Sequence, residues 1–196
     1  MQHGTAMRSA VKTRVAILAG ALVVLWVVFL LSSASGGALL AFGVIPRTTT
    51  GLRGILFAPF LHGSLNHIVA NSIPFAVLGS LVMLRDARQF VRVTLFGMAG
   101  AGLVSWLLGA PGSVHVGASG VIFGYLGFLI LSGWYSRSFW SILLSVLVAV
   151  AWGGLIVGVM PGETGISWQA HLGGFLGGVA AARRYKTSRR PWDNDA

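Results

Sequence analysis

Between Arg92 and Arg137 the chain carries no Asp, Glu, Lys or Arg, and this uncharged run constrains the fold more than any other feature of the sequence. A helix crosses the hydrocarbon of a bilayer in about 20 residues, so the run is too long for one crossing. Gly109-Ala110-Pro111-Gly112-Ser113 interrupts it with turn-forming residues, which predicts two helices joined by a loop. Comparable apolar stretches lie on either side, and the predicted spans are 15–31, 68–84, 93–108, 117–133, 139–159 and 168–182. Composition agrees. Only 9% of the residues are charged, where a soluble domain has about a quarter, and the mean hydropathy is +0.81. The expected fold class is an all-α membrane protein, a six-transmembrane-helix bundle over 15–182. An N-terminal tail, 1–14, and a basic C-terminal tail, 183–196, complete the expected domain plan.

The net charge of +10 would suit nucleic acid, but the basic residues flank apolar stretches, so the expected partner is the lipid bilayer and not nucleic acid. All Lys and Arg except Arg47 and Arg53 fall on one side when the spans alternate. The positive-inside rule then predicts a multi-pass protein of a bacterial-type plasma membrane with both termini cytoplasmic. The first apolar stretch exceeds the core of about 7–15 residues in a cleaved signal peptide, which predicts a retained span. In the outer connection, 51–61 is apolar and is expected to form short helices lying in the interface.

Polar side chains at membrane depth are costly, and here they gather. His67 and Asn71 stand four apart on one face of the second span. Ser119 lies in Gly117-Ala118-Ser119-Gly120 at the start of the fourth, and His171 near the start of the sixth. All begin on the outer side in a topology derived without them. A serine hydroxyl becomes a useful nucleophile when a base takes its proton, and histidine is the usual base. An acyl-transfer intermediate also needs donors for its oxyanion, which Asn71, His67 and the Ser119 N–H could supply. Of the four acidic residues, Asp86, Asp193 and Asp195 fall on the cytoplasmic side. Glu163 lies eight residues before His171, about 12 Å along a helix, so a Ser–His dyad is the economical reading.

These residues resemble the rhomboid family of intramembrane serine proteases. The resemblance rests on an apolar first span, His62-x4-His67-x3-Asn71, Gly117-x-Ser119-Gly120, and Ala170-His171-Leu172-Gly173-Gly174, in that order. It implies a Ser119–His171 dyad and an oxyanion site of His67, Asn71 and the Ser119 N–H. It also implies a water-filled cavity open to the outer side, with single-span membrane proteins as substrates and no cofactor. Two departures are visible. Phe123 stands where the family commonly has tyrosine, keeping a ring that can stack on His171. The Trp-Arg element often seen in the first outer loop is not recognisable between Ser32 and His62.

Competing readings attach to several of these residues. Ser119 could be a packing residue bonded to its own helix. His115, four residues before Ser119, is a rival base, and His62 is expected to hold the outer loop to the second span. A zinc site of His62, His67 and His171 is disfavoured by the spacing of the first two, and with no cysteine there is no thiolate site. Gly120-x3-Gly124 and Gly174-x3-Gly178 predict close packing of spans four and six. An inactive rhomboid-like protein that binds transmembrane helices is the alternative function. A small transporter would call for internal repeats and coupling acids, which the sequence lacks.

Overall fold

The computed structural model describes residues 2–85, 87–160 and 167–184. Asp86, Glu163, Asp193 and Asp195, and Lys186, Arg189 and Arg190 of the basic tail, lie outside the described residues. The chain is a bundle of helices joined by short 3-10 turns, and the described residues contain no strand beyond one isolated bridge, Val44 with His115.

Helix α1 (Gln2–Ala34) runs unbroken through the residues expected to form a separate tail. Gly36 and Gly37, at φ 65° and 85°, then turn the chain where a side chain would be strained. Short helices follow at Ala38–Phe42, Thr50–Arg53, Gly54–Phe57 (α2) and Ala58–Phe60, so the apolar part of this connection is helical as expected. Its anchors are scattered in sequence. Trp106 Nε1 donates to the Thr48 carbonyl at 2.8 Å, and Arg47 Nη1 donates to the Leu107 carbonyl at 2.9 Å. The Arg53 guanidinium lies 4.4 Å over the Phe42 ring. The tryptophan that fixes this connection therefore comes from the far end of another helix.

The remaining helices are α3 (Leu65–Arg85), α4 (Ala87–Leu108), α5 (Ser119–Ser136), α6 (Phe139–Trp152) and α7 (Trp168–Arg183). Several boundaries differ from the expected ones for local reasons. α4 begins before residue 93 and includes Arg88 and Arg92, since charged residues end a hydropathy window without ending a helix. α5 starts at Ser119, because Gly117 at φ 120° cannot be helical. α6 tightens at Gly153 into a 3-10 turn, Gly153–Val159.

Among the described residues, five helices are long and apolar enough to cross a membrane. α7, with 16 residues and about 24 Å of rise, falls short of that length. It is nonetheless central to the bundle, packed between α4 and α5 through glycine. A Cβ on Gly174 would overlap the Gly120 carbonyl, and one on Gly178 the Gly124 carbonyl. On the other face Gly173 and Gly100 meet backbone to backbone. The expected approach of the two small-residue motifs is thus realised. Beneath it, Tyr125, Phe128, Leu126 and Leu129 are fully buried, and the Tyr125 hydroxyl bonds to Thr94 Oγ1 at 2.8 Å.

Candidate active site

α3, α5 and α7 all begin at the same end of the bundle, α3 bringing two polar groups to its first turns and α5 and α7 one each. His67 lies in the first turn of α3, where Ser64 Oγ accepts the His67 N–H at 3.2 Å and caps the helix. Asn71 follows one turn later and is 6% exposed. Its amide nitrogen Nδ2 is buried without a hydrogen-bond partner. Ser119 opens α5, and the N–H groups of a helix's first turn have no partner within the helix. His171 sits in the first turn of α7, 8% exposed.

These groups meet at one cavity of about 660 Å³, lined among others by His67, Asn71, Ser119, Phe123, His115 and His171. Phe123 stacks on the His171 ring, centroids 4.1 Å apart and planes 8° from parallel. The ring stacking expected of Phe123 therefore does not need the hydroxyl a tyrosine would carry. His171 Nδ1 lies 2.8 Å from the Gly158 carbonyl oxygen, in the 3-10 turn after α6. Ser119 Oγ makes no hydrogen bond among the described residues.

The turn that presents Ser119 is held from outside α5. The Ala58 carbonyl accepts the Gly117 N–H at 2.9 Å, and His62 Nε2 accepts the Ala118 N–H at 3.4 Å. His62 thus braces the serine turn, not only the start of span two as expected. Its ring is 2% exposed and meets His67 edge-on at 4.9 Å. Burial, reinforced by His67, pushes its pKa down to about 4, so at neutral pH it is uncharged and keeps the lone pair that accepts Ala118 N–H. Gly117 is needed twice. Its φ is 120°, and a Cβ there would lie 2.6 Å from His67 Nε2. Gly120 sits where a Cβ would overlap Ala101.

His115, the rival base, has both ring nitrogens engaged: Nε2 with Ser113 Oγ at 2.9 Å and Nδ1 with Ser167 Oγ at 2.7 Å. Burial lowers its pKa. Ser167 also accepts the Ala170 N–H at 3.2 Å and caps α7, so His115 ties the serine loop to the helix that carries His171. The described residues contain no cluster of metal-binding side chains.

Sequence reasoning missed three contributors. Ser167 was legible, since a serine directly before an apolar helical stretch is a capping signal. Pro74 interrupts the α3 ladder at the cavity wall and leaves the Ala70 carbonyl without its usual donor; only the proline itself marks this. The Gly158 carbonyl left no signal, because any residue carries one.

Known proteins resemble the chain. The Rhomboid domain family matches residues 49–187, which excludes α1. The uncharacterized protein Rv1337 of Mycobacterium tuberculosis is 42% identical over 166 residues, 81% of this chain and 69% of that protein. RHOMBOID-like protein 1 of Arabidopsis thaliana is 33% identical over 127 residues, covering 61% of this chain and 31% of the plant protein. Rhomboid-like protease 5 of Toxoplasma gondii is 35% identical over 134 residues, 64% of this chain but 15% of that much longer one. With the family match spanning most of the helical bundle, this multi-pass membrane protein belongs to the rhomboid family.

Proposed function

We propose that the chain is an intramembrane serine endopeptidase in which Ser119 is the nucleophile and His171 the base. The observation that carries this reading is the buried, partnerless amide of Asn71 beside the cavity that Ser119 and His171 line. An orphaned buried donor is destabilising by about 1–3 kcal/mol, and it persists most simply where a transient acceptor arrives. A tetrahedral oxyanion is such an acceptor.

The steps follow. Ser119 Oγ attacks the scissile carbonyl carbon as its proton passes to His171. Negative charge then develops on the carbonyl oxygen, facing Asn71 Nδ2, His67 and the Ser119 N–H. Collapse expels the amine, which takes the proton from His171 and leaves an ester on Ser119. Water, deprotonated by His171, attacks that ester, and collapse releases the second product as His171 returns the proton to Ser119 Oγ. A transmembrane helix shields its own carbonyls, so the substrate must unwind to be cut, and a wet cavity removes most of the penalty for freeing its backbone groups. Single-span membrane proteins cut near the outer face are the substrates this favours.

The decisive experiment is labelling of the purified protein with a fluorophosphonate. Wild type should react and Ser119→Ala should not. Absence of labelling in well-folded wild type would favour the alternative, an inactive rhomboid-like protein that binds transmembrane helices. The orientation has its own test. A cysteine replacing the exposed Thr50 should react with an impermeant thiol reagent in intact cells, whereas one replacing Arg137 should not. The reverse pattern would put the site on the cytoplasmic face.

A further inference from the structure

Stacking alone does not prepare His171 to act as a base. A parallel aromatic face such as Phe123 fixes the plane of the imidazole but not which edge points where. Rotating the ring by half a turn within that stack exchanges each nitrogen for a carbon. A third group must choose the edge and the tautomer, a task that a buried carboxylate performs in many serine hydrolases. All four side-chain carboxylates of the chain lie outside the described residues, and among those described the group that meets the Nδ1 edge of the ring is a backbone carbonyl.

We infer that the Gly158 backbone carbonyl takes this part, making Gly158 a positioning residue for the base; the inference rests on the protease reading above. A carbonyl oxygen can only accept, so at 2.8 Å from Nδ1 it requires the hydrogen to be on Nδ1. Nε2 then carries the lone pair, which is the form a base facing a serine needs. The residue type fits the position. A Cβ at 158 would lie 3.1 Å from His171 Nδ1 and 3.3 Å from Phe123 Cζ, so glycine lets the backbone approach both rings at once. At Gly154, one turn earlier, a Cβ would meet no heavy atom within 4 Å, so that glycine is free of this constraint.

The attachment of this carbonyl gives the arrangement its meaning. It belongs to the turn Gly153–Val159 that continues α6, and within α6 only Ser145 and Val148 are buried. Ser145, midway along α6, pins it to α5, donating to the Leu129 carbonyl at 2.6 Å and accepting the Gly133 N–H at 3.1 Å. The base is therefore oriented by the helix least embedded in the bundle, and it is competent only while the far end of α6 is seated.

The test uses the full chain in lipid nanodiscs with ¹⁵N-labelled histidine rings. Nitrogen NMR at neutral pH reads the tautomer, with His171 assigned by its loss in His171→Ala. Wild type should show Nδ1 protonated and Nε2 bare. Gly158→Val, which pushes the turn off the ring, should mix the tautomers and lower kcat roughly 10–100-fold with little change in KM. Gly158→Ala should shift both readouts the same way but less, and Gly154→Ala should leave both unchanged. His171 found with the proton on Nε2 in wild type would overturn the inference, as would Gly158 variants with unaltered tautomer and kcat. The tautomer is read without any substrate, so an inactive wild type would sink the protease reading and leave the positioning claim to be decided by NMR alone.

Discussion

α5 and α6 are neighbours in sequence and opposites in character. α6 with its 3-10 extension is among the most apolar stretches of the chain, yet 11% of that span is buried in protein; α5 is less apolar, and 67% of it is buried. In water the ranking would be reversed. Within a bilayer, lipid tails solvate leucine as well as a protein core does, so hydropathy marks the helices that face lipid. What draws a helix to the centre is close backbone approach through small residues, and α5 and α7 meet through Gly120, Gly124, Gly174 and Gly178. The proposed reactive groups follow this second rule. Ser119 heads α5, and His171 lies on α7, whose backbone touches that of α5.

Substitutions on the two kinds of helix should separate accordingly. The largest effect is expected at the reacting pair. Ser119→Ala and His171→Ala should each reduce cleavage of a reconstituted single-span substrate by about 10⁴-fold or more, because the two act as a unit. His115→Ala should be milder, and a folded Ser119→Ala that still cuts would detach chemistry from α5 altogether. Asn71→Ala comes next. Loss of one oxyanion donor lowers kcat by roughly 10²–10³-fold, and full activity in that variant would remove Asn71 from the site. Smaller still is the effect on stability. Gly174→Ala inserts a methyl against the Gly120 carbonyl and should destabilise the bundle by about 1–3 kcal/mol in reversible unfolding. Val150→Ala on α6, where the side chain is 82% exposed, should stay within about 0.5 kcal/mol. Equal losses at the two positions would break the contrast between α5 and α6.

Much of this was legible in the sequence, because the bilayer writes its constraints plainly. A charge-free run, a turn cluster at 109–113 and a basic bias locate helices without tertiary information. The glycine motifs foretell which helices touch, since a small side chain has one main use at a helix interface. Other features lay beyond reach. Whether residues 2–14 form a tail or a continuation of α1 depends on helix propensity outside the apolar window, which hydropathy does not measure. The position of His62 points to α3, but its partner is the Ala118 N–H, a backbone group that looks alike at every position. The same holds for the Ala58 carbonyl behind Gly117. Side chains announce themselves in a sequence, and the backbone atoms that position them do not.

The central seat of α7 has a consequence in time. Domains are synthesised from the N-terminus onward, so α1 to α6 emerge before the helix that carries His171. Until α7 threads between α4 and α5, the serine turn has its braces from Ala58 and His62 but no base, and the gap between those helices stands open. On the protease reading proposed above, a partly made chain therefore holds a nucleophile it cannot use. On that reading, assembly of α7 closes the core and completes the site in one event.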